Sequence, residues 1–501
     1  MFTITNLKHK LTQDITVMLW GIVLATVCCL FVLIYQSRFW GVQWDAAYFY
    51  YIARMISEGA VPYRDIFDIN LPGTYAIYLF IITFLGEGDI YWRIADLFCL
   101  GVISTLIWFY CRPFGRLAGS IGVVLFASLH LYNGPMYVGK RDYFILMFIL
   151  GGIYCIVRHI ERCRGRVFLA FGGLLLGYAC LIKPQAGFLC LLMLLILIAQ
   201  AFRCGRGWLW ESVFFTAFCC FLPAITMLIL WYVGGLNPFI DILLNISREY
   251  SAFVLQPFNN GILFGFMGMP LLEIVAVAFA SIVCSVLVPE NRLRRLFIVL
   301  GMFYGFIHFY SQTHFIYQLY PFVLFLFMSI ASWVGYIRLR FSGLIKCILL
   351  IVVAQLLLVF LYRSIHSIIE PPPHHIHAVQ VKNMLVDDLS GKILPGETVQ
   401  VMDTLGGGIH ALYDLRCKQP TRFVFDAFLF HPSATSYRKK IRADFLGDLQ
   451  DRPPQFFVLF RAGRPIKSFE HIEKFPELRD WLYSNYSKEI ENEYYHLYRR
   501  K

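Results

Sequence analysis

Thr74-Tyr75-Ala76-Ile77-Tyr78-Leu79-Phe80-Ile81-Ile82-Thr83-Phe84-Leu85 is an apolar run of about a dozen residues, and the topology turns on whether it crosses a membrane. A crossing helix needs about twenty apolar residues. Longer runs surround it: 15–36, 90–111, 117–135, 142–158, 167–182, 186–202, 211–233, 262–288, 296–312, 316–337 and 343–362. Suppose 74–85 does not cross. Then Lys8/Lys10, Arg112/Arg116, the Arg158–Arg166 cluster, Arg203/Arg206, Arg292/Arg294/Arg295 and Arg338/Arg340/Lys346 all fall on one side, the cytoplasm by the positive-inside rule. If it crosses, Arg112 and Arg116 move outside and every later cluster inverts. The first arrangement is the consistent one. Residues 74–85 then form a juxtamembrane or re-entrant helix, and there are about eleven spans.

Composition supports a membrane chain. Of 501 residues 58% are hydrophobic, 17% aromatic and only 15% charged, against roughly a quarter charged in soluble domains. A soluble fold cannot hide that much apolar surface, which excludes a cytosolic enzyme, a disordered protein and a secreted disulfide scaffold. The formal charge of +12 sits in short clusters between apolar runs, so it marks cytoplasmic loops and not a nucleic-acid partner. Most of the 14 cysteines lie inside the apolar runs, without a CxxC pair, and only Cys417 lies beyond residue 350. They read as small buried hydrophobes. The run from Ile15 to Tyr35 lacks a small-residue cleavage site and is expected to stay as a signal anchor.

The expected fold is therefore an all-α polytopic membrane bundle over residues 1–363, with a first outer loop at 37–89, and a small C-terminal α/β domain over 364–501 outside the membrane. The tail is polar, Pro-rich at Pro371–Pro373, and alternates strand-like runs (Val399–Met402, Arg422–Phe425, Phe456–Phe460) with helical ones (435–450, 472–487).

The first outer loop carries the most chemistry. It reads Trp44-Asp45-Ala-Ala-Tyr-Phe-Tyr-Tyr-Ile-Ala-Arg54-Met55-Ile-Ser-Glu58-Gly59-Ala-Val-Pro62-Tyr63-Arg64-Asp65-Ile-Phe-Asp68-Ile-Asn70-Leu-Pro72-Gly73. It opens on an acid, runs a helix of about fourteen residues, stops at Gly59 with Pro62 beyond, and returns two more carboxylates. On local physics, Asp45 serves equally as an N-cap, and Asp65 and Asp68 as partners of Arg64.

This order of elements resembles the first periplasmic loop of bacterial GT-C glycosyltransferases. That superfamily includes protein mannosyltransferases, the lipid A aminoarabinose transferase and relatives that modify lipopolysaccharide cores. The carriers are the acid after the first span, the helix ending in Met55-x-x-x-Gly59, the Pro62-Tyr63-Arg64-Asp65 segment and the Asp68-x-x-x-Pro72-Gly73 entry to a hydrophobic helix. Tyr91-Trp92-Arg93, Lys140-Arg141-Asp142, Gly177-Tyr-Ala-Cys-Leu-Ile-Lys183-Pro184 and His314-Phe-Ile-Tyr317-Gln-Leu-Tyr-Pro321 extend the resemblance over residues 10–335. Family members often carry a lysine near the Asp-x-x-x-Pro motif that contacts the donor phosphate; Asn70 stands in that vicinity here.

The resemblance implies transfer of a sugar from a polyprenyl-phosphate donor to an envelope glycolipid or glycan acceptor. The reaction would take place on the outer face of the bacterial inner membrane, with inversion. Such a reaction needs a base for the acceptor hydroxyl, and Asp45 is the candidate, with Asp142 as the second family acid. It needs cations on the departing phosphate, for which Arg54, Arg64, Arg93, Lys140, Arg141 and Lys183 qualify. Asp65, Asp68, His314 and Tyr317 complete the candidate substrate contacts. Asp45 and Asp142 have the ligand type for a divalent cation, but the expectation is a metal-free site without cofactor, in which both face one water-accessible cleft. His308 reads as a hydrogen-bonded interface residue. His374, His375 and His377 read as surface residues, and Gly406-Gly407-Gly408 as a plain turn, because GxGxxG and its following acid are missing.

The alternative is a transporter or flippase of a lipid-linked sugar. Transporters usually show paired interrupted helices in two repeated halves. Here a single acid-rich loop and no repeat favour the enzyme. A non-catalytic assembly factor of the same fold would tolerate loss of Asp45.

Overall fold

The computed structural model describes residues 2–501 except 136, 163–164, 205–206, 247–274, 276–277, 280–281, 284–287, 313–314, 341–342, 371–373, 404–405, 431–434 and 462–468. The chain divides into two compact units. One comprises residues 1–41, 89–225 and 255–372, the other 42–88, 226–254 and 373–501. This differs from a cut at residue 363. The first loop clusters with the C-terminal region because aromatic side chains of both share one core: Tyr50 lies against Tyr413 and Phe67 against Phe423 and Phe428.

The first unit is helical. Ten of the expected apolar runs fall in helices: Phe2–Gln36, Asp89–Cys111, Arg116–Asn133, Arg141–Arg162, Arg166–Ile182, Ala186–Cys204, Gly207–Tyr232, Arg292–Tyr310, Tyr320–Arg340 and Gly343–Ile369. The expected span 262–288 lies largely outside the described residues. Six helices among the described residues are long and apolar enough to cross a membrane, and 166–182, 186–200 and 353–369 are shorter apolar helices. The chain is a multi-pass membrane protein. Large apolar side chains such as Phe31, Phe98, Trp210 and Leu228 face outward at 63–72% exposure, a surface suited to lipid.

Close helix packing has a local cause. Gly301-x-x-x-Gly305 lines one face of the helix Arg292–Tyr310. A Cβ at Gly305 would sit 2.3 Å from the backbone nitrogen of Phe322, and one at Gly301 2.4 Å from the Phe325 ring. Small residues four apart let the two backbones approach, as in other membrane helix pairs.

In the second unit the helix Asp45–Ser57 ends at Gly59, whose φ is +98°, as the sequence predicts. Trp44 and not Asp45 occupies the N-cap, at φ 50° and ψ −126°, and Asp45 is the first helical residue. Pro72 opens the short helix Pro72–Phe80, which continues as one π turn over Ile81–Leu85. The sheet has four strands, β1 (Val399–Met402), β2 (Phe456–Phe460), β3 (Tyr486–Glu491) and β4 (Tyr495–Arg500), in the order β1-β2-β4-β3. β1 and β2 are parallel, and the helix Ser436–Asp451 lies between them in sequence. β3 and β4 are antiparallel additions.

Arg422–Phe425 is not a strand. Its Arg422 carbonyl instead accepts from Phe67 N at 2.8 Å, and Phe423 and Phe425 are buried among aromatic rings. The helical run 472–487 shortens to Pro476–Asn485, because Tyr486 turns extended and begins β3.

Candidate functional site

Buried charge inside a membrane bundle is costly unless paired, so the polar residues of the first unit stand out. The helix Arg166–Ile182 ends at Lys183, which is extended (φ −143°, ψ 122°) because Pro184 disfavours a helical predecessor. This break turns Lys183 inward, where it is 5% exposed. Its Nζ lies 3.3 Å from Asp142 Oδ2 and donates to Gln312 Oε1. Asp142, fully buried near the start of the helix Arg141–Arg162, accepts from His308 Nε2 at 2.7 Å, and His308 Nδ1 faces the Tyr304 hydroxyl at 3.2 Å. Lys140 is 4% exposed, with its ammonium 4.7 Å from the Tyr317 ring centre. Four predicted residues thus form two contacts within the first unit, Lys140 with Tyr317 and Lys183 with Asp142, and Arg141 separates Lys140 from Asp142 in sequence. His314 lies outside the described residues.

A second buried cluster adjoins it. Arg93 pairs with Asp96 and donates to Ser37 Oγ, so its charge is met by a carboxylate. Asp96 also accepts from His130 Nε2 at 3.0 Å, and His130 Nδ1 lies 3.1 Å from the Tyr320 hydroxyl. Tyr143 stacks on His130 at 4.0 Å and donates to the Asp96 carbonyl. Asp142 and Tyr143 are neighbours in sequence, so one helix start joins both clusters. Sequence reasoning missed Asp96, His130 and Tyr320. Their signal was ionisable residues within apolar runs.

The second unit holds the other candidates. Asp45 is half-buried at the helix start. Arg54 pairs with Glu87 at 2.8 Å and stacks over Tyr413 at 3.9 Å. Arg64 is exposed and pairs with Asp65 at 2.8 Å; that guanidinium holds the Asp65 carboxyl below its usual range. Asp65 also accepts from Val61 N at 2.8 Å, closing the Pro62 turn. Asp68 is 1% exposed and accepts from Ile69 N, Asn70 Nδ2 and the Tyr75 hydroxyl. These contacts make Asp65 and Asp68 clasps of the loop, and Asn70 the partner of Asp68.

The carboxylate of Asp403, 2% exposed, accepts from the backbone nitrogens of Gly406, Gly407 and Gly408 at 2.6, 3.1 and 2.7 Å. The triple glycine therefore binds the chain's own acid. Among the described residues no three His, Cys, Asp or Glu side chains converge as metal ligands. The side chains of His374, His375 and His377 lie outside the described residues.

Residues 72–231 match the dolichyl-phosphate-mannose-protein mannosyltransferase family. The fold is similar to that of ArnT from Cupriavidus metallidurans bound to undecaprenyl phosphate. That alignment has a TM-score of 0.60 at 11% identity, covering 95% of this chain and 98% of that one. The apo state of the same protein gives 0.59 at 12% identity, covering 95% and 97%. The archaeal oligosaccharyltransferase AglB from Archaeoglobus fulgidus, in complex with an inhibitory peptide and a dolichol-phosphate, gives 0.50 at 11% identity, covering 89% and 69%. No curated protein matches the chain. At these identities the structures show the fold alone, which is that of the Cupriavidus protein, and the match to the mannosyltransferase family is confined to residues 72–231.

Proposed function

We propose that this chain moves a sugar from a polyprenyl-phosphate donor to an envelope glycolipid or glycan on the outer face of the bacterial inner membrane. The observation that carries the reading is the buried Lys183–Asp142 pair at a helix break, with the buried Lys140, two residues before Asp142 in sequence, against Tyr317. A charged, buried helix break is what a lipid phosphate head needs at membrane depth. The undecaprenyl phosphate bound by the Cupriavidus protein and the dolichol-phosphate of the archaeal one support a polyprenyl carrier.

In the proposed reaction the acceptor oxygen attacks the anomeric carbon and its proton passes to Asp45. The bond from that carbon to the phosphate oxygen breaks, and polyprenyl phosphate leaves from the opposite face, so the configuration inverts. Arg54, Arg64 and Arg93 are paired with Glu87, Asp65 and Asp96; the reading assigns the phosphate to Lys140, Arg141 and Lys183, the last of which is itself paired with Asp142. Asp142 acts by orienting Lys183 and not as a second base, since its carboxylate is enclosed by Lys183 and His308. In this reading the tail and the loop 42–88 lie outside the membrane. No metal is assigned a step.

Mass spectrometry of envelope glycolipids from cells with and without this protein tests the proposal. A single hexose, pentose or uronic-acid increment should be missing without it, and missing again with Asp45→Asn. An unchanged glycolipid profile would overturn the proposal. Cysteines introduced at Asp65 and Arg166 should label from opposite faces of the membrane.

A further inference from the structure

Gln43-Trp44-Asp45-Ala46 is a tight turn, closed by Ala46 N donating to Gln43 O at 3.0 Å. Trp44 holds its second position at φ 50° and ψ −126°, a conformation that belongs to glycine in type II′ turns. A bulky residue there is a strained outlier. Trp44 is one wall of a small chamber within the second unit, with Tyr48, Asp403, Gly407 and His410 among the others. The indole Nε1–H is buried with no hydrogen-bond partner among the described residues, although a buried tryptophan N–H usually finds one. The free volume is about 10 Å³, room for roughly one water-sized group.

The lining selects what enters. An N–H needs an acceptor, and the Asp403 carboxyl, which already accepts from three glycine amides, takes a further donor in preference to a second anion. A methyl group satisfies neither, a carboxylate is repelled by Asp403, and an ammonium offers nothing to the indole. A hydroxyl donates and accepts at once.

We infer that this chamber takes one hydroxyl of the transferred sugar or of the saccharide acceptor beside Asp45, with Trp44 Nε1–H donating to its oxygen and Asp403 accepting its proton. The inference rests on the transferase reading, and it explains why a strained tryptophan directly precedes the candidate base. Water meets the same chemical demands, and the test separates the two.

The cleanest variant is Trp44→3-benzothienylalanine, which replaces the N–H by sulfur at the same shape; Trp44→Phe is the simpler companion. Membrane vesicles carrying the full chain are supplied with total polyprenyl-phosphate-linked sugars extracted from the same cells. The initial rate of the mass increment on envelope glycolipid is then measured beside the melting temperature of the purified protein. The benzothienyl variant should melt with the unmodified chain, because an unpaired donor contributes nothing to the fold, while its transfer rate drops by about tenfold. An unchanged rate overturns the proposal. A lowered melting temperature also overturns it, because the N–H would then be bonded within the fold or to a structural water. If the unmodified chain adds no sugar, the transferase reading itself fails, a result distinct from either.

Discussion

Lys183 Nζ and Asp142 Oδ2 lie 3.3 Å apart, at a break between helices and at the start of another, with the two side chains only 6% and 1% exposed. Removing one member takes from the other the opposite charge it is paired with. Asp142→Asn and Lys183→Gln are each expected to destabilise the protein by about 3 kcal/mol. Combined, they should cost clearly less than the sum, with a coupling of about 1–3 kcal/mol. Denaturant unfolding of the four proteins in detergent measures it. Strict additivity would show that the pair does not interact. Transfer activity should stay lost in the double variant even where stability returns, because the phosphate cation is gone.

Arg93 is held by Asp96 and Ser37, and Asp96 is held again by His130. Its predicted role as a phosphate ligand and its observed pairing make different demands. Arg93→Gln should lower stability by about 3 kcal/mol, as expected for an orphaned buried carboxylate. Asp96→Asn in the same chain should recover part of that loss. A variant that folds at full stability and shows only a raised KM for donor would return Arg93 to the phosphate.

Much of this arrangement is legible in the residues alone, for identifiable reasons. The helix Asp45–Ser57 and its stop need only Gly59 and Pro62, and the break at Lys183 needs only Pro184. These are local effects. The pairing of Arg54 with Glu87 and the clasp of Asp68 by Tyr75 are tertiary; nothing in the spacing of those residues separates a cation awaiting phosphate from one already neutralised. Arg422–Phe425 has strand composition, yet its apolar side chains are consumed by an aromatic cluster with Phe67 and Phe428. Gly301-x-x-x-Gly305 becomes a packing face only through Phe322 and Phe325 of the next helix, which spacing alone does not name.

That glycine face gives a stability test with an internal control. A methyl at Gly305 meets the Phe322 backbone, which cannot rotate away. Gly305→Ala should cost about 1–3 kcal/mol through overpacking. Gly101, in the helix Asp89–Cys111, has nothing within 4 Å of an added Cβ. Gly101→Ala should be neutral or stabilising, by up to about 1 kcal/mol from helix propensity. Equal effects at both positions would mean that the helix pair is not in this close contact.

Asp403 supplies a pH dependence whose sign is fixed by its surroundings. Burial pushes its carboxyl above the usual range, and the glycine amides only partly oppose this. A carboxyl whose folded value exceeds its unfolded value, about 3.9, favours folding most when protonated. Its contribution therefore declines as pH rises from the unfolded value through the folded one, and is constant beyond. Asp403→Asn removes the titration while keeping an acceptor for the Gly406–Gly408 amides. Relative to this variant, the melting temperature of the native chain should be highest near about pH 4 and should decline as the pH is raised. An advantage that grows with pH would mean the three amides outweigh burial, so that Asp403 is held ionised and the chamber beside Trp44 carries a full negative charge throughout.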